Sequence, residues 1–244
     1  MSSHAKPSGD RRFLQVHFET MGAQLAASKS GMWLFLASEL LFFGGLFTAY
    51  AVYRANHPDM YHYGQYFLDW RMGAINTAVL ISSSLSAAWS VRAAQLGDTK
   101  TLKATLWLTL LLAGAFLVVK YFEYAHKIEA GYIWGGEHCV DNLKVAGKLT
   151  EHQIEHCLSA LPPEVAHLPI PEHMGRFFSI YFVMTGLHGL HVLIGMALYV
   201  WLLRRAGRGD FGPKYFGPVD MVALYWHIVD MIWIFLFPLL YLIG

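Results

Sequence analysis

Five runs of mostly apolar residues, at about 31–53, 72–91, 104–126, 177–203 and 221–244, are each long enough to cross a lipid bilayer. A helix rises about 1.5 Å per residue, so roughly 20 apolar residues span the ~30 Å of hydrocarbon. Of the 244 residues 55% are hydrophobic and only 14% charged, whereas a soluble domain is about 25% charged. The charges collect between the runs rather than within them. The predicted fold class is therefore all-α: an integral membrane bundle of five transmembrane helices. Residues 1–30 form an N-terminal arm, 31–244 a membrane domain, and 127–175 an insert between the third and fourth spans. The net charge of +1 gives no reason to expect a nucleic acid partner. The arm is polar and lacks the short apolar core and small-residue cleavage site of a secretory signal.

Five spans place the termini on opposite sides, and Lys and Arg set which side is which. Lys6, Arg11, Arg12 and Lys29 lie in the arm. Arg92, Lys100 and Lys103 lie around the link between the second and third spans. Arg204, Arg205, Arg208 and Lys214 precede the last span. Together these are eleven of the eighteen basic residues. The expectation is a cytoplasmic N-terminus and a periplasmic C-terminus. The outer link would then hold Tyr61, Tyr63, Tyr66, Phe67 and Trp70 as an interfacial aromatic belt. The insert is acidic, with seven Asp or Glu against three Lys. It carries both cysteines, Cys139 and Cys157, which could pair outside the cytoplasm or stay free. Its histidines, His138, His152, His156, His167 and His173, match no tight metal-site spacing.

The second span has a small residue at every fourth position: Ala74, Ala78, Ser82, Ser86 and Ser90. Such a row predicts a close helix–helix seam, with a partner either in this chain or in another subunit, and Gly44, Gly45, Gly186, Gly189 and Gly195 are further thin points. Pro238, inside the last span, removes a donor and predicts a kink. Gly217 and Pro218 predict the turn that starts that helix.

Ionisable residues at membrane depth cost about 3 kcal/mol for a central Asp, so each needs a partner or a purpose. Glu39 lies about 12 Å into its span at ~1.5 Å per residue. His188 and His191, and His227 and Asp230, are spaced i, i+3, so each pair shares a helix face. These five residues form a candidate intramembrane polar cluster, with either a structural or a proton-handling role. Haem ligation fits poorly, because His188 and His191 on one face make a bad trans pair. Lys120 and Glu123, also i, i+3, form a candidate ion pair. No nucleotide, haem-attachment or metalloprotease motif is present, so neither a catalytic residue nor a metal site is assigned.

Three stretches carry a family resemblance. Gly31-Met-Trp-Leu-Phe-Leu-Ala-Ser-Glu39-Leu-Leu-Phe-Phe43, Thr185-Gly-Leu-His188-Gly-Leu-His191-Val-Leu-Ile-Gly195 and Tyr225-Trp-His227-Ile-Val-Asp230-Met-Ile-Trp233-Ile-Phe-Leu-Phe237 resemble, in order, helices of subunit III of haem–copper oxidases. Lys120-Tyr-Phe-Glu123-Tyr fits the middle helix of that family more loosely.

The resemblance implies a bacterial inner-membrane, non-catalytic subunit of a proton-pumping cytochrome c oxidase. Such a subunit stabilises its complex and supports proton uptake. Haem and copper are then expected in partner subunits and none in this chain. The implied partners are oxidase subunits I and II, membrane lipids including structural phospholipid, and cytochrome c or another respiratory complex near the insert. The carbodiimide-reactive carboxylate of the family matches Glu39. The longest members have two further N-terminal helices, which this chain lacks, so a lipid cleft built by those helices is not implied here. Quinol oxidases and nitric oxide reductase clusters have similar subunits. Rivals from other classes are an independent membrane cytochrome, using His188 or His191 with His227, and an ion carrier using Glu39 and Asp230. The absence of internal repeats weighs against the carrier.

Overall fold

The computed structural model describes residues 13–129, 171 and 174–242. Among these, five helices are long and apolar enough to cross a membrane: α1 (Met21–Asn56), α3 (Trp70–Leu96), α4 (Thr99–Glu129), α5 (Met174–Gly207) and α6 (Gly217–Phe237). A short helix, α2 (Pro58–Gly64), runs into a 3-10 turn at Gln65–Phe67. There is no strand among the described residues, where Gly212 and Tyr215 form an isolated bridge. Helices suit this setting because hydrocarbon offers nothing to an unpaired backbone group. The chain is a multi-pass membrane protein.

The chain divides into two compact units. Met1–Leu41, Ile81–Ala113 and Val192–Asp230 make the first; Phe42–Leu80, Gly114–His191 and Met231–Gly244 make the second. Every long helix contributes one stretch to each. The insert cysteines Cys139 and Cys157 and the five insert histidines lie outside the described residues.

In the first unit the links are fixed by local chemistry. At the end of α3, Gly97 takes φ +76°, and the Gly97 and Asp98 amides donate back to Ala94 and Ala93 carbonyls. Only glycine adopts that backbone without strain, and the reversed bonds satisfy carbonyls the helix leaves open. Asp98 then caps α4, accepting the Lys100 and Thr101 amides and the Thr101 hydroxyl. The Thr101 hydroxyl and amide hold the Asp98 carboxyl below its ordinary pKa. Gly209 closes α5 in the same way, with φ +74°. Thr20 caps α1 by accepting the Ala23 amide, so that helix begins ten residues before position 31 and takes in part of the predicted arm. Gln24 ties the preceding segment to this turn through bonds with Phe13 and Gln15. Phe13 stacks on Tyr215 at 4.3 Å. Pro218 stands in the first turn of α6, where no amide donor is needed, and Asp220 in the same turn pairs with Lys29 at 3.0 Å.

Three packing expectations are met in part within this chain. Of the every-fourth row on α3, Ser86 and Ser90 are buried, while Ala78 and Ser82 are exposed, so the row as a whole is not a buried seam among the described residues. The buried line alternates steps of three and four instead: Gly73, Asn76, Leu80, Ser83, Ala87, Ser90 and Ala94. With about 3.6 residues per turn, steps of four drift steadily around the helix, while alternating threes and fours stay nearly in line. Of the five glycines expected as thin points, a Cβ added at Gly44, Gly45, Gly186 or Gly189 would meet nothing within 4 Å among the described residues beyond its own helix backbone and chain neighbours. Gly195 does mark a close approach, since a Cβ there would lie 2.6 Å from the Trp226 ring. The expected aromatic belt is split. Tyr66 and Trp70 are exposed, but Tyr61 and Tyr63 are buried because α2 turns them inward. Tyr61 meets Tyr50 and Phe177 edge-on, and burial raises the Tyr61 and Tyr63 hydroxyls above their ordinary pKa.

At Pro238 the α-helical geometry gives way to a π turn, Pro238–Leu242. Proline cannot donate to the Ile234 carbonyl four residues back, and its ring crowds that carbonyl. The Tyr50 hydroxyl donates to the Leu239 carbonyl, satisfying one of the acceptors left open at a helix end.

Candidate functional site

In the second unit, α4 runs out of apolar sequence after Val119 and presents Lys120, Glu123 and Lys127 on one face, at i, i+3 and i+7. All three are buried. Lys120 Nζ lies 2.8 Å from Glu123 Oε2, and Lys127 Nζ lies 2.7 Å from Oε1. Glu123 Oε1 also accepts the hydroxyls of Tyr181 on α5, at 2.8 Å, and Tyr241 in the π turn, at 2.6 Å. Lys120 donates to the Tyr241 hydroxyl at 2.6 Å and sits 4.6 Å from the Trp233 ring centre. Lys127 sits 4.7 Å from the Tyr181 ring centre. Nearby, the Tyr124 and Thr185 hydroxyls are bonded.

Two ammonium groups thus share one carboxylate, and aromatic faces take up part of the remaining positive charge. Burial of charge is costly unless each ion is paired and its other hydrogen-bonding positions are filled. Here the fillers come from three parts of the chain, so the cluster binds α4 to α5 and to the π turn. Its carboxylate is committed to four donors. Such a set is suited to holding helices rather than to acting on a substrate.

The structure distributes the five predicted cluster residues between the two units. In the second unit, the His188 ring is fully buried between Phe116 at 5.5 Å and Trp233 at 5.2 Å. The His191 Nδ1 is 2.7 Å from its own helix's Leu187 carbonyl, and its ring meets Phe43 edge-on. In the first unit, His227 Nδ1 is bonded to Ser84 Oγ on α3 at 2.7 Å. One residue earlier on each helix, Trp226 donates to Ser83 at 2.7 Å. Asp230 lies one turn further along α6 and is buried. Glu39 is half-buried on α1, within electrostatic range of Tyr225. Among the described residues no group of three or more His, Cys, Asp or Glu is placed to hold a metal ion.

Sequence reasoning missed Lys127, Tyr181 and Tyr241. Lys127 was visible as the i+4 partner of Glu123 but was counted with the outer loop. The tyrosines lie 58 and 118 residues from Glu123, a separation that leaves no local signal.

The sequence pattern of the family described as cytochrome c oxidase subunit III matches residues 14–132 and 165–244. Among similar proteins, cytochrome c oxidase subunit 3 of Corynebacterium diphtheriae is 31% identical over 215 residues, covering 87% of this chain and 86% of the relative. Cytochrome c oxidase subunit 3 of Thermostichus vulcanus is 31% identical over 214 residues, with the same coverage of each. Heme-copper oxidase subunit I+III of Aeropyrum pernix is 27% identical over 221 residues, covering 88% of this chain and 22% of that longer protein.

The α4 cluster yields a stability prediction. Glu123→Gln leaves two buried ammonium groups unpaired and is expected to cost about 3–5 kcal/mol. Replacing Lys120 and Lys127 by Met and Glu123 by Leu together should restore most of that loss, since well-packed apolar groups can substitute for a buried ion set. Thermal unfolding of the detergent-purified protein measures both. An unchanged midpoint for Glu123→Gln would show that the cluster does not hold the helices.

Proposed function

Because the chain belongs to the cytochrome c oxidase subunit III family, we propose that it performs no redox chemistry of its own and acts by stabilising a proton-pumping oxidase in a bacterial plasma membrane. The observation that carries this reading is the extent of the family match, which takes in all five membrane helices. The α4 cluster supports it, because its charged groups are spent on one another and on helix contacts. The name of the Aeropyrum pernix relative joins subunits I and III, and this supports a subunit I neighbour for the present chain. Haem and copper belong to that neighbour and to subunit II in this reading.

Within the complex, Glu39 is the residue of this chain proposed to support proton uptake. A carboxylate that its own chain leaves half-covered stays within reach of a neighbour or of water, and membrane carboxylates often serve proton transfer. The N-terminus is proposed to face the cytoplasm, on the strength of the basic residues around Arg92, Lys103, Arg205 and Lys214.

Two outcomes follow. Glu39→Gln should leave the initial rate of oxygen consumption close to that of the unaltered complex and shorten its activity under sustained turnover. Immediate and complete loss of oxygen reduction would overturn the non-catalytic assignment. Alkaline phosphatase fused after Gly244 should be active in whole cells, and the same enzyme inserted after Gly97 inactive. The reverse pattern would invert the topology.

A further inference from the structure

A groove with a volume of about 600 Å³ runs along α3 where that helix turns into α4. All of its lining lies in the first unit. Leu85, Trp89, Arg92 and Leu96 follow one another at steps of three and four, so they form one stripe on the helix. All four are exposed. Ala88 and Ala93 stand beside the stripe, and their short side chains leave the space. Asp98 and Thr101 close one end. The walls are fixed by bonds already in place: Ser86 on α3 meets Thr109 on α4 at 2.6 Å, and Asp98 caps α4.

The groove is polar at one end only. Leu85 to Leu96 measures about 16 Å at ~1.5 Å per residue, close to half of the ~30 Å of hydrocarbon. That is the depth of one leaflet. The α3–α4 link stands at a membrane surface, so the Asp98 end lies at headgroup level and Leu85 near the midplane. Arg92 is one turn from Leu96, and a long arginine side chain reaches the headgroups from there. Its guanidinium takes no partner among the described residues. Asp98 is spent on capping, since it accepts the Lys100 and Thr101 amides and the Thr101 hydroxyl. Lys100 and Lys103 are exposed nearby, so positive charge prevails at this end.

Width separates the two kinds of occupant a membrane offers. Spread over its length, the cavity has a cross-section of about 40 Å², whereas a helix about 10–12 Å across needs at least twice that area. An extended hydrocarbon chain enters such a groove; a helix bridges over it. The geometry points to a binding site for one anionic phospholipid, with an acyl chain lying along Leu85, Trp89 and Leu96 and the phosphate held by Arg92. A guanidinium meets a phosphate through two parallel hydrogen bonds, and Lys100 and Lys103 favour a headgroup with net negative charge. The site requires only that the chain spans a bilayer. It is independent of the oxidase assignment and of any cleft built by further N-terminal helices.

Native mass spectrometry of the intact purified complex tests it, after mild delipidation and return to vesicles of phosphatidylcholine with phosphatidylglycerol. The expected result is one phosphatidylglycerol retained per copy of this chain in preference to phosphatidylcholine. Arg92→Gln should weaken that retention about tenfold or more, as loss of a charge-assisted hydrogen bond implies. Ala88→Phe should abolish it by filling the groove. Arg204→Gln removes an exposed cation outside the groove and should leave retention unchanged. Retention that survives both Arg92→Gln and Ala88→Phe, or that falls equally in Arg204→Gln, overturns the proposal. Electron cryo-microscopy of the unaltered complex in the same lipids decides without any variant. Chain-like density along Leu85–Leu96, ending in a phosphate about 2.7–2.9 Å from Arg92, supports the site. A segment of a neighbouring subunit in the groove, or a groove without density, overturns it.

Discussion

A carboxylate buried between two ammonium groups constrains this fold more than any apolar contact does. Lipid tails are as apolar as leucine, so helices in a bilayer gain little by hiding leucine from their surroundings. A polar group is different: at membrane depth it must find a partner, and the partner must stand on another helix or on the same face of its own. Glu123 finds both kinds. Lys120 and Lys127 come from its own helix, while Tyr181 and Tyr241 come from elsewhere in the chain. The position of α4 against those tyrosines is therefore specified, since sliding the helix by one residue would strand three charges.

Smaller pairings repeat this logic within each unit. In the first, Trp226 to Ser83, His227 to Ser84, and Ser86 to Thr109 each join two helices through one polar contact. In the second, Trp233 donates to Thr77 at 3.0 Å. Indole donors suit this medium, because a large apolar body packs while the single N–H finds a hydroxyl. Small residues on the facing helix make room, as Gly195 does for Trp226. Packing and polar pairing are thus met by the same side chains.

Much of this was legible in the sequence. Length and hydropathy located all five spans, because both depend only on the thickness of the bilayer. Four of the helices extend beyond their spans at both ends, as α1 does to its Thr20 cap, since a helix need not stop where the hydrocarbon stops. The i, i+3 spacing of Lys120 and Glu123 is local and could be read; Tyr181 and Tyr241 depend on tertiary placement and could not. The buried line of α3 was not the row that stood out, because small residues at every fourth position wind around the helix, and of that row Ser86 and Ser90 are the ones buried here. The folding-in of Tyr61 and Tyr63 was hidden for a different reason. An aromatic-rich link reads the same whether it meets lipid headgroups or, as α2 does, packs against Phe177 and Tyr50.

The central claim is that the acids and imidazoles embedded in these helices serve assembly beside a redox-active neighbour. The most direct measurement is mild detergent extraction from native membranes, followed by identification of every co-purifying chain and by optical spectra of the assembly and of this subunit after separation. The account predicts a companion that carries haem and copper, and a separated subunit with no haem absorption. A chain that emerges alone in lipid, or one that keeps a haem band of its own, would contradict it.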